Sequence, residues 1–146
     1  MNWQTVAVQR LRNYEAKKLS LETIAEQIRG LEAEFTGLRA ATTDGMPISG
    51  TNTNKREEML VGNIARREEL KRNYKIAKGE VTVTEKALEI LTEQERRILY
   101  VFFINRPAGH VQLLCEEMFV EKTKMYTMKD EALKKFTRAC YGVVEL

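Results

Sequence analysis

Seven side chains near the end of the chain have the types and spacing to bind a polyanion. Lys122, Thr123, Lys124, Tyr126, Thr127, Lys129 and Lys134 fall within one short stretch. Ammonium groups neutralise phosphates, and threonine or tyrosine hydroxyls reach base edges or the sugar–phosphate chain. Residues 122–138 carry six basic and two acidic side chains, a local +4 in a chain whose total is only +3. That concentration is the electrostatic footprint expected of a nucleic-acid contact. The bland alternative is a solvated helix face, which the same charge run also describes. Upstream, His110 opens a short predicted helix, where a ring and backbone N–H groups can meet a phosphate. Arg106 lies one turn earlier.

Catalysis lacks its parts. The chain has one histidine, two cysteines (Cys115 and Cys140) and two aspartates (Asp44 and Asp130). No Cys-x-x-Cys, His-Glu-x-x-His or Gly-x-Ser-x-Gly occurs, so zinc, thiol and serine chemistry have no framework. Gly45 to Thr51 imitates the glycine spacing of a phosphate loop, but no lysine follows and no strand precedes it. The expectation is a protein that is not an enzyme and needs no cofactor or metal.

The elements that position the basic stretch follow from periodicity. Leu21, Ile24, Ile28, Leu31, Phe35 and Leu38 are spaced 3, 4, 3, 4, 3. That is a heptad stripe on one helix, predicted from near Trp3 to about Ala40. Turn-forming residues then predict a loop over about 41–55. A second stripe runs through Leu70, Tyr74, Ala77, Val81, Thr84, Leu88 and Leu91, with Leu60 and Ile64 leading in. Gly79 and the β-branched run 81–84 predict a kink or break in it. Two such helices cannot bury their stripes alone, so an antiparallel, coiled-coil-like hairpin is expected, with a homo-dimer through the same helices.

The last third changes character. Thr92 and Glu95 form a capping box opening a helix dense in apolar residues, from Ile98 to Ile104. Residues 106–109 (Arg-Pro-Ala-Gly) stop it. His110 to Met118 is a second short helix, with Val111, Leu114, Cys115 and Met118 inward. Phe119-Val120-Glu121 turns the chain into a third, whose inward stripe is Met125, Met128, Ala132, Leu133 and Phe136. Three short helices with a basic last member have the layout of a helix-turn-helix.

Composition agrees. Apolar residues reach 43% and charged residues 31%, with only 2 prolines and 8 glycines, as in helical proteins rather than barrels. No apolar run approaches the roughly 20 residues of a membrane span. The first residues lack a signal-peptide pattern, and two cysteines do not make a disulfide framework. A soluble protein of the cytoplasm, with no membrane partner, is expected.

The run Leu91-Thr92-Glu93-Gln94-Glu95-Arg96-Arg97-Ile98-Leu99, continued from Val111 to Phe136, resembles region four of bacterial sigma factors. The closing Ala132-Leu133-Lys134-Lys135-Phe136 matches that region's Ala-Leu-x-Lys-Leu ending without a gap. Over about residues 20–140 the chain is similar to the ArpU/RinA type of phage transcriptional regulators. The resemblance implies an all-α protein with a helical hairpin (1–91), a sigma-like helix-turn-helix (92–141) and a short tail (142–146).

It also implies an activator role in phage or prophage transcription in a bacterial host cell. Double-stranded DNA is the implied partner, with host RNA polymerase a second. Lys122, Lys124, Lys129 and Lys134 would contact phosphates, Thr123, Tyr126 and Thr127 bases, and His110 and Arg106 flanking phosphates. Two departures matter. Phe119 replaces the turn glycine, so it either buries against the hairpin or distorts the turn, and Glu121 replaces the usual serine. No arginine, glutamine or asparagine stands at the base-reading positions, so the DNA sequence is not that of a sigma-read promoter element. Two other readings share the helices: a small-terminase-like packaging protein, and a degenerate helix-turn-helix that binds polymerase instead of DNA.

Overall fold

The computed structural model describes residues 1–42 and 50–142, with side chains described over 1–40 and 54–142. The chain is all-α: among the described residues every regular element is helical. Helix α1 spans Trp3–Thr42 and α2 spans Gly50–Glu89; α3 (Glu93–Leu99), α4 (His110–Met118) and α5 (Lys122–Tyr141) follow. After α3 the chain widens into a π-helical turn, Tyr100–Ile104. No helix is long and apolar enough to cross a membrane, among the described residues. Of the loop expected over about 41–55, residues 43–49 lie outside the described residues. Helix α2 is already under way at Gly50, ahead of the expected start near Lys55. In the tail expected over 142–146, residues 143–146 also lie outside them.

No break falls at 79–84: α2 is helical without interruption from Gly50 to Glu89. Packing outweighs propensity there. Val81 and Thr84 are buried, and the Thr84 hydroxyl is satisfied inside the helix, donating to the Glu80 carbonyl at 2.9 Å.

The chain divides into two compact units, one made of Met1–Lys17 with everything from Gly79 onward, the other of Lys18–Lys78. In the first unit, Ala7 and Leu11 of α1 join Leu91, Leu99, Leu133 and Phe136 in one buried cluster. A second cluster, Ile98, Val101, Phe102, Leu114 and Met125, ties α3 and the π-turn to α4 and α5. Polar contacts fix the N-terminal segment to this core. The Arg10 guanidinium sits 2.7 Å from the Glu80 carboxylate and donates to the Tyr141 hydroxyl at 3.0 Å. Trp3 packs on the Tyr141 ring, centroids 4.8 Å apart. Cys140 is half-buried beside them, and burial pushes its thiol up to about 11, which keeps it from being a thiolate.

In the second unit the seam of α2 runs through Leu60, Asn63, Arg67, Leu70 and Tyr74, all at least half covered. Ile64, expected to lead into the stripe, is 43% exposed; it falls one residue out of the 3–4 phase that Asn63 keeps. Asn63 is the buried member. Its side-chain amide donates to the Leu31 carbonyl at 2.8 Å and accepts from Arg67 Nε at 2.8 Å, while the Arg67 guanidinium covers the Phe35 ring at 4.6 Å.

Candidate nucleic-acid interface

Helix α3 starts as the capping box requires. The Glu95 N–H donates to the Thr92 hydroxyl at 3.2 Å and the Thr92 N–H donates to the Glu95 carboxylate at 3.1 Å. Burial works to raise the Glu95 carboxyl, but the Thr92 bonds and the Lys135 ammonium outweigh it and hold it below its ordinary range. Ile98 of this helix and Val101 of the π-turn after it seat α4 and α5.

The connection from α4 to α5 is three residues long. Phe119 takes the left-handed conformation (φ 54°, ψ 46°) and its N–H donates to the Cys115 carbonyl, closing α4. The turn therefore keeps the geometry a glycine would supply, with phenylalanine in its place. Phe119 does not bury against other residues: it is 93% exposed. Val120 turns inward onto the second cluster. That arrangement implies a stability cost at Phe119 of the order of 1–2 kcal/mol for a non-glycine. Phe119→Gly is expected to stabilise the protein by about 1 kcal/mol, since no packing is lost and the gain exceeds glycine's extra unfolded-state entropy. Urea unfolding checks it; a loss of stability would mean that the exposed ring is held by contacts.

From Glu121 the chain enters α5. Met125 is fully buried and Met128 half-buried, which fixes the rotation of the helix. Lys122, Thr123, Lys124 and Thr127 are then exposed, and Tyr126 is 40% exposed. The Thr127 hydroxyl donates to the Thr123 carbonyl at 3.2 Å, leaving its lone pairs outward.

Other expected contact residues are placed differently. Lys129 pairs with Asp130 at 2.7 Å and lies over the Phe102 and Tyr126 rings at 5.9 and 5.8 Å. Its ammonium is thus engaged by a neighbour and two rings. Lys134 is half-covered and about 15 Å further along the helix axis than Lys124. Arg106 is exposed, with Nε 3.1 Å from His110 Nε2, and the imidazole meets the Phe102 ring edge-on at 4.9 Å. Phe102 also meets Tyr126 edge-on at 6.0 Å. One buried ring thus gathers His110, Tyr126 and Lys129 together, with Arg106 joined through His110.

Burial, and then the Arg106 guanidinium, lower the His110 pKa from its ordinary 6.5. A histidine depressed in the folded state binds its proton more readily when unfolded. Its stabilising contribution is complete above about pH 6.5 and is lost as pH falls towards the native value. Thermal melts between about pH 7.5 and 5.5 should show a decline that is shallower in His110→Gln; identical slopes would mean the ring is not desolvated.

Two features were not anticipated from sequence. Arg138, counted in the basic stretch but not among the candidate contacts, is exposed in α5 one turn beyond Lys134. Phe102 reads in sequence as one apolar residue in an apolar run, and nothing local marks it as the platform. Acidic side chains also break the face: Asp130 and Glu131 are exposed after the first two turns of α5. Exposed cationic and hydroxyl groups are concentrated over residues 122–127.

In comparisons with known proteins, no family model matches the chain, and no curated protein or solved structure does.

Proposed function

We propose that this chain is a sequence-specific DNA-binding regulator, an activator, of phage or prophage transcription, and that it inserts the start of α5 into the major groove. The observation that carries the reading is the set of exposed side chains at the start of α5. Lys122, Thr123, Lys124, Tyr126 and Thr127 stand outward while Met125, Leu133 and Phe136 hold the helix from behind. A scaffold helix, a three-residue turn and a basic second helix are the parts of a helix-turn-helix, and sigma region four is the version that the sequence resembles. The lysines supply sequence-independent affinity; Thr123, Tyr126 and Thr127 supply readout.

A hairpin of α1 and α2 preceding this unit is supported by pairings within the first unit. Lys17 reaches Glu80, whereas Arg10, earlier in α1, reaches on to Thr84, later in α2. The setting is the cytoplasm of a bacterial host, with double-stranded DNA and the host RNA polymerase as partners and a homo-dimer through the N-terminal helices as the working form. Selection from a randomised pool of duplexes tests the reading. One enriched motif, lost in Thr127→Ala, is expected; a pool that stays unenriched at every salt concentration contradicts it.

Phe119 favours a second reading, in which the unit contacts polymerase rather than DNA. The ring is solvent-exposed next to the exposed Glu116 and Glu121, a surface that repels phosphate and suits a basic protein face. Under that reading Phe119→Ser abolishes activation, while Lys122→Ala/Lys124→Ala leaves it intact.

A further inference from the structure

The second unit has an incomplete core. Its seam residues Leu21, Ile28, Leu31, Phe35, Leu60 and Leu70 are each only partly covered, and among its described residues the one buried side chain is the polar Asn63. In the first unit, by contrast, Leu11, Ile98, Leu99, Leu114 and Phe136 are completely buried. Two helices side by side cannot enclose a seam. Apolar side chains beyond it, Met59 at 46% and Ile64 at 43% exposure, widen the uncovered surface. Grooves of about 400 and 340 Å³ run along the pair, the first past Leu31, Met59 and Asn63 and the second past Leu21, Ala25 and Tyr74.

Charge says what covers this surface. Residues 18–42 carry three basic and four acidic side chains, whereas residues 50–78 carry eight basic and four acidic. The two helices of this unit differ in sign, −1 against +4, so the unit is complementary to a second copy of itself turned about a two-fold axis. An arrangement with α2 against α2 would crowd cations together. The area suffices: helical segments of about 25 residues are roughly 37 Å long and, spaced about 9 Å, present a face of about 700 Å², near the ~800 Å² per partner of a stable complex.

We propose that a second copy of this chain covers the second unit, with α1 of each copy against α2 of the other, completing a four-helix bundle. It deepens the homo-dimer part of the functional reading and rests on no step of DNA binding, so it is tested without DNA and fails or stands separately. Light scattering of the full chain should give twice the chain mass. Glu26→Lys/Glu34→Lys takes the α1 segment from −1 to +3, and Arg66→Glu/Lys71→Glu/Lys75→Glu takes the α2 segment from +4 to −2. All five side chains are exposed. Each variant alone should dissociate about tenfold or more readily, and an equimolar mixture should restore the pair, because both cross-copy contacts become complementary again.

Met59→Lys should also dissociate the pair while far-ultraviolet circular dichroism keeps its helical signal, which guards against charge variants that unfold. A single-chain mass for wild type, or a ring of many copies, overturns the proposal. So does wild-type pairing in both charge variants.

Discussion

Leu11→Ala is expected to destabilise the first unit by about 2–5 kcal/mol, the range for removing a fully buried leucine where the surroundings close only in part. Leu11 lies near the start of the chain yet has no exposed surface, packed among Ala87, Leu91, Leu99, Leu133 and Phe136. The residues it supports are those that seat α5. A small domain has only about 5–15 kcal/mol of stability in total, so the loss is a large share of it. Leu38→Ala, at a half-covered seam position of the second unit, should cost much less in the same background.

Urea unfolding followed by circular dichroism compares the two. A Leu11→Ala penalty under 1 kcal/mol would mean that the N-terminal segment is a bystander to the core rather than part of it. The practical corollary is that a fragment beginning at residue 92 would lose Ala7, Leu11, Ala87 and Leu91 from its core.

Lys122→Ala and Lys124→Ala are each expected to weaken binding to DNA of any sequence by about tenfold near physiological salt, and to flatten the slope of log affinity against log salt by about one. Both side chains are exposed, so nothing in the fold is lost with them. Lys129→Ala should behave otherwise. Its ammonium is engaged by Asp130 and by two rings, so its removal loosens Tyr126 and changes the slope by less than one. Thr127→Ala should leave the slope alone and cost about 1–3 kcal/mol of discrimination between the preferred site and others, the range for one good base contact. Fluorescence-anisotropy titrations at several salt concentrations separate these outcomes. Equal slope changes at Lys122, Lys124 and Lys129 would mean that the aromatic platform does not hold Lys129 in the complex.

Much of this architecture was legible because its signals are local. The 3–4 spacing of Leu21 to Leu38 and of Leu70 to Leu91 places two long helices, and Thr92 with Glu95 announces the start of α3 by a bond pair that depends only on four consecutive residues. The ends of α4 and the start of α5 follow from the chain stops at Pro107–Gly109 and the turn at 119–121.

What was not legible depends on partners distant in sequence. Nothing near Ala7 or Leu11 says that they pack under α5 rather than along the seam alone. Gly79 and Val81 read as a weak point because propensity is counted without the burial that compensates it. Asn63 keeps the seam phase but is polar, so a search for apolar residues passes over it to Ile64. Within the candidate interface, side-chain type alone gives Lys129 and Lys134 the same expected role as Lys122 and Lys124, whereas their pairing and coverage are set by the fold. That information lies in Asp130, Phe102 and the residues folded over the second half of α5.

The proposed activity is binding of one specific DNA sequence by the start of α5. A gel-shift titration tests it most directly, using the full chain near physiological salt with excess nonspecific competitor. The probes are tiled fragments of the genome that encodes the chain, and the Lys122→Ala/Thr127→Ala variant is run in parallel. One fragment shifted by wild type and not by the double variant is the predicted result, and a position upstream of a promoter rather than at a packaging start would fit a regulator. A fragment shifted equally by both proteins, or no selective shift by wild type at any concentration below aggregation, would contradict the claim.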